Sequence, residues 1–235
     1  MSRGLEQQSA GGNSWAFWGM FVRRERWGLS WRGWLLALAL GVGGVVILFL
    51  GVHPFLAVND EAKGELLVVE GWVPDYALEA GANEFKRGSY RRLITTGGAS
   101  VNTGSHLAEY DSYAQISADA LAKLGLKAEQ VASVPLVTPD RDRTYTAGVT
   151  LKKWLAKREP TVKSVTVLTL DVHARRTRLL YRKALGQGIT VGVMAIADRE
   201  YDPEHWWRYS EGVKEITSEA FAYLYARFFF FPPRI

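Results

Sequence analysis

No cysteine occurs anywhere in the 235-residue chain. That absence removes disulfides, thiolate metal sites and cysteine nucleophiles together, and it leaves the redox compartment open. Histidine is scarce, with His53, His106, His173 and His205 scattered along the chain. Missing too are a GxSxG elbow, a GxxxxGK[ST] loop, a GxGxxG run after a strand and an HExxH helix. A serine hydrolase of that type, a P-loop NTPase, a GxGxxG dinucleotide enzyme and a zincin therefore each lose their usual signature. A metal would depend on carboxylates gathered by the fold, with Glu70, Asp140, Asp142 and Asp171 as donors. No metal ligand and no cofactor is assigned.

Charge of one sign is also lacking over most of the chain. The net charge is +5, and residues 1–34 hold five basic and two acidic side chains, so +3 of it lies there. The remainder is nearly balanced, and a nucleic-acid partner is not implied.

A long apolar run is present. Residues 34–52 carry no charge, and at ~1.5 Å per residue they are long enough to cross a ~30 Å hydrocarbon layer. The run predicts a membrane anchor over 34–57 behind a basic tail over 1–33, of which the Gly-, Ser- and Gln-rich 1–14 reads as disordered. A cleavable signal peptide is the alternative, but its apolar core is usually about 7 to 15 residues, and no small-x-small cleavage site stands out in 53–64. Arg23, Arg24, Arg26 and Arg32 precede the run, while Asp60, Glu61, Lys63 and Glu65 follow it. The positive-inside rule then puts the N-terminus in the cytoplasm and the domain outside, with Trp27, Trp31 and Trp34 as an aromatic belt at the inner interface.

From Glu65 onward, short apolar runs alternate with helical stretches, the pattern of a mainly parallel sheet covered by helices on both faces. Strands are predicted over 66–70, 92–96, 131–137, 164–169 and 189–196, with helices over about 76–87, 106–124, 144–158, 172–185 and 210–228. The expected fold over 61–235 is a Rossmann-like three-layer α/β domain with five strands. Right-handed crossovers give the order 3-2-1-4-5, so a ligand site belongs beyond the carboxyl ends, where strands one and four part.

The residues just past those ends carry polar chemistry. Asp171 suits an N-cap, which puts His173 in the first turn of the next helix and Arg176 on the same face, an anion site in outline. The plainer alternative is that Asp171 only caps, His173 packs and the arginines are solvated. Glu70 ends an apolar strand and needs a partner. Gly97 and Gly98 form a turn. Asp142 stands before Arg143 and Thr144, where it either caps a helix or joins a site.

These strand ends resemble the ElyC/SanA/YdcF family. The matching pieces are Leu66-Leu67-Val68-Val69 followed by Gly71, then Thr96-Gly97-Gly98, then Thr144-Tyr145. Leu168-Thr169 with Asp171, His173 and Arg176 follows, and Trp207, Ser210, Glu215 and Glu219 look like the closing segment. The likeness spans roughly 65–225. It departs at Ser112-Tyr113-Ala114, where the family usually has Ser-Glu-Ala, and at Ala147, where it has Asn. The resemblance implies a YdcF-like domain, often membrane-anchored, tied to bacterial cell-envelope integrity and to lipid-carrier or peptidoglycan-related chemistry. It places the chain in the bacterial inner membrane.

Two functional readings follow. In one, the domain acts on a phosphate-bearing envelope precursor, an anionic small molecule or lipid-linked. Arg176, Arg143 and a helix start would hold the anion, with Gly71, Gly97, Gly98, Thr144, Thr169 and Asp171 around it. His173 would be the general acid or base, oriented by Glu70 or Asp142. In the other, the same pocket binds an anion without turnover, as a sensor or scaffold at the membrane face. The aromatic tail over 221–231 either packs on the sheet or rests on the bilayer. Packing is expected, because Phe221, Leu224 and Phe228 share one helical face.

Overall fold

The computed structural model describes residues 15–16, 21–22, 29–60, 64–98, 112–136 and 141–232, with side chains from residue 29 onward. The readings of 1–14, Arg23, Arg24, Arg26, Trp27, Glu61, Lys63, His106 and Asp140 lie outside the described residues. The chain divides into two compact units, 1–48 and 49–235.

In the first unit, Trp15–Ala16 pairs antiparallel with Phe21–Val22. Helix α1 (Trp31–Leu56) begins there and continues into the second unit. Its 26 residues give a length of about 39 Å, more than the ~30 Å of a bilayer core. Its apolar window has a mean hydropathy of 2.7 and is 0% buried. Such a helix is long and apolar enough to cross a membrane.

The second unit is built on five parallel strands, β1 (Leu66–Glu70), β2 (Arg92–Gly97), β3 (Val131–Pro135), β4 (Ser164–Leu170) and β5 (Thr190–Ile196). Their order is β3-β2-β1-β4-β5, as expected. All five residues of β1 are buried, because a central parallel strand is covered on both faces. Side chains alternate between the layers. Leu66, Val68, Val165 and Val167 pack with Ala147, Leu151 and Leu155 of α4 (Arg143–Arg158) and Tyr181 of α5 (Ala174–Leu185). Leu67, Val69 and Leu168 face α2 (Asp75–Arg87) and α3 (Tyr113–Lys123) through Ala77, Leu78, Ala82, Phe85 and Leu121. In the sheet, Val69 lies beside Thr95 and Leu168, which brings Glu70 and the end of β4 together at the carboxyl end of the sheet.

Two expectations are corrected. A 3-10 turn, Asp171–His173, separates β4 from α5, so the helix starts at Ala174 and not at 172. The final helix α6 (Ser210–Phe228) does not pack through Phe221, Leu224 and Phe228, whose exposures are 70%, 47% and 59%. It buries Gly212, Ile216, Glu219 and Ala226 instead. On the buried face Glu219 is not left unpaired, because Arg176 of α5 takes it.

Candidate functional site

The polar residues at the carboxyl end of the sheet fall into connected groups. Glu70, the last residue of β1, is buried, and Thr169 Oγ1 donates to its Oε2 at 2.5 Å, with Thr177 Oγ1 at 3.3 Å. Burial pushes the Glu70 carboxyl up, against those bonds and the charge of Arg176. The protonated acid is thereby favoured.

Arg176 grips Glu219 with two bonds, Nε to Oε2 at 2.6 Å and Nη2 to Oε1 at 2.8 Å. Its Nη2 also lies 3.0 Å from His173 Nδ1, and its Nη1 lies 3.5 Å from Thr144 Oγ1. His173 Nδ1 is 3.1 Å from Glu219 Oε1 and its Nε2 is 3.7 Å from Glu215 Oε2, with the Trp72 ring centroid 4.6 Å away. One nitrogen of a neutral ring cannot both accept from arginine and donate to carboxylate. Only the arginine contact has hydrogen-bond geometry, so we assign Nδ1 as acceptor and place the proton on Nε2. Burial lowers the His173 pKa, opposed by the Glu219 charge. That burial favours the neutral imidazole.

Asp171 does not cap a helix. Its backbone is left-handed at φ 34°, and its carboxylate accepts Tyr201 Oη at 2.5 Å and pairs with His53 Nε2 at 3.0 Å. His53 comes from the last turn of α1, so the end of the long helix is tied to the strand-to-helix turn beside His173. Burial, and then the Asp171 bond, push the Tyr201 hydroxyl well up.

The start of α4 is different. Asp142 occupies its N-cap position with φ 52° and makes no side-chain cap. The first intrahelical bond there runs from Thr146 N to Asp142 O at 2.9 Å, so the N–H groups of Arg143, Thr144 and Tyr145 have no helical acceptor. Asp142, Arg143, Thr144 and Arg176 line a cavity of about 100 Å³, together with Tyr145, Leu180, Ala222, Tyr225, Ala226 and Phe230. The expected convergence is thus partial. Arg176 links both groups, Asp142 and Arg143 are exposed at the cavity, and the carboxylates beside His173 are Glu215 and Glu219 rather than Glu70 or Asp142.

Gly71 and Gly97 serve packing: a Cβ at Gly71 would meet Tyr113 O at 2.7 Å and one at Gly97 would meet Ala114 N at 2.9 Å, whereas one at Gly98 meets nothing within 4 Å among the described residues. Among the described residues no group of three His, Asp or Glu is placed to hold a metal. Sequence reasoning did not assign site roles to Glu219, Glu215, His53, Tyr201 and Trp72. Glu219 left one usable signal, a carboxylate in line with Ile216, Tyr223 and Ala226 on a helix, one turn after Glu215.

Fold and site together define a Rossmann-like α/β domain with its polar chemistry at the carboxyl end of a parallel sheet. No protein-family model matches the chain, and no curated protein matches it either. The ElyC/SanA/YdcF resemblance rests on the sequence alone.

Proposed function

We propose that the protein is a membrane-anchored, extracytoplasmic YdcF-like domain of the bacterial cell envelope, which binds or acts on a phosphate-bearing envelope precursor. One observation carries this reading: the uncapped start of α4 opens on a cavity lined by Arg143, Thr144, Arg176 and Asp142 together with apolar and aromatic side chains. Free N–H groups and the helix dipole favour an anion there. Glu219 offsets the charge of Arg176, so Arg143 and the helix start supply most of the attraction.

Titrating the full-length protein in detergent with pyrophosphate and phosphomonoesters tests it. Arg143→Ala combined with Thr144→Val is expected to weaken binding about 10-fold or more, the loss of about 1.4 kcal/mol or more. Wild-type protein that binds no phosphate compound overturns the reading.

A non-catalytic sensor or scaffold is the second reading, favoured by one observation. His173, the acid-base candidate, is bonded to Arg176 but is not among the residues lining the cavity. Turnover on the same panel, abolished by His173→Ala with folding retained, selects the enzyme; binding without turnover selects the scaffold.

The topology has its own test. Alkaline phosphatase fused after Ile235 is expected to be active and β-galactosidase at the same point inactive, given the arginine bias before the apolar run. The reverse pattern would place the domain in the cytoplasm.

A further inference from the structure

We propose that the outer face of α6 and the tail after it form a second membrane contact, lying in the interfacial layer of the same bilayer that α1 enters. The proposal rests on α1 being a membrane anchor. On a helical wheel Val213, Phe221, Leu224, Tyr225 and Phe228 fall in a sector about 120° wide, centred roughly opposite the buried residues Gly212, Ile216, Glu219 and Ala226; Ser210, Lys214 and Thr217 share its first turns, and from Phe221 onward it is apolar and aromatic. A surface helix of a solvated domain is polar on that side. Here Val213, Phe221, Leu224, Tyr225 and Phe228 are all exposed, and Phe229 and Phe231 extend the patch past the helix end.

Three observations favour lipid as the occupant. The first is chain continuity. Phe55, only seven residues beyond Leu48, packs edge-on against Tyr223 of α6 at 5.5 Å, and Arg175 Nε donates to its carbonyl. The second is helix length, since a 26-residue helix exceeds a ~30 Å hydrocarbon layer and brings its last turns to headgroup level. The third is composition. Phenylalanine and tyrosine beside exposed Arg227, which stands 5.7 Å from the Phe228 ring centroid, are the residue types that settle at a lipid interface. The consequence is orientation: two contacts in place of one tether would hold the cavity, whose wall includes Tyr225 and Phe230 of this same segment, at the membrane face.

The absence of cysteine makes the test clean. Single-cysteine variants Phe221→Cys, Phe228→Cys, Val42→Cys and Lys123→Cys of the full chain are labelled with an environment-sensitive fluorophore. Each is placed, one copy per disc, in phosphatidylcholine/phosphatidylglycerol nanodiscs with and without nitroxide-bearing lipid. Expected is a blue shift and nitroxide quenching at Phe221→Cys, Phe228→Cys and Val42→Cys, with neither at Lys123→Cys. Quenching at Val42→Cys but not at the α6 positions overturns this inference and leaves the anchor standing. No quenching at Val42→Cys overturns the anchor and the inference with it. A blue shift on α6 without lipid quenching means that protein covers the face, which also overturns it.

Discussion

Replacing Arg176 with methionine is expected to destabilise the domain by about 3–5 kcal/mol, the range for breaking a buried ion pair from one side. The guanidinium holds both oxygens of Glu219, at 2.6 and 2.8 Å, and lies near enough to Glu70 to influence its ionisation. Without it, Glu219 is a buried carboxylate facing only His173. The effect should depend on pH. In the wild type the folded His173 pKa is lowered, so its contribution is present above the unfolded value of about 6.5 and is lost as pH falls through the folded value. In Arg176→Met, Glu219 without its cation should raise the His173 pKa. The contribution is then present below about 6.5 and lost as pH rises through the raised value. Denaturant unfolding of the full chain in detergent should therefore show a larger deficit at pH 8 than at pH 5. In Arg176→Met/Glu219→Leu much of the loss should be recovered, because no buried charge remains unpaired. Additive losses in the double variant would refute the coupling.

The second large effect is expected at Gly71. In Gly71→Ala the new methyl meets backbone oxygens of Tyr113 at 2.7 Å and Thr96 at 2.9 Å. Gly71 N also donates to Thr96 O at 2.6 Å, and its carbonyl accepts Ser117 Oγ at 2.8 Å. These atoms belong to β2 and α3 or are bonded to them, so relief requires moving an element rather than a rotamer. Overpacking of this kind costs about 1–3 kcal/mol. Gly98→Ala meets nothing within 4 Å among the described residues and should leave unfolding unchanged. Equal midpoints for the two variants would show that the close approach at Gly71 does not exist.

The sequence by itself determined the parts that depend on local pattern. Continuous apolar runs such as Leu66-Leu67-Val68-Val69 are legible as central strands because a parallel strand is buried on both faces. The order β3-β2-β1-β4-β5 follows from the crossover rule applied to those strands. The uncharged run inside α1 was equally plain, and so was the end of the sheet that carries the polar residues.

Tertiary structure decided the partners. Asp171 looked like a cap because cap residues are read from neighbours in the chain, yet its bonds go to His53 and Tyr201, 118 and 30 residues away. Arg176 looked like a free anion receptor, and Glu219, 43 residues on, takes it. The buried face of α6 is the one that carries Glu219, not the aromatic stripe that periodicity favoured. Periodicity measures how well a residue suits water or core one turn at a time. Which buried charge meets which is set only when distant elements pack, because a buried charge needs a partner that its neighbours along the chain do not supply.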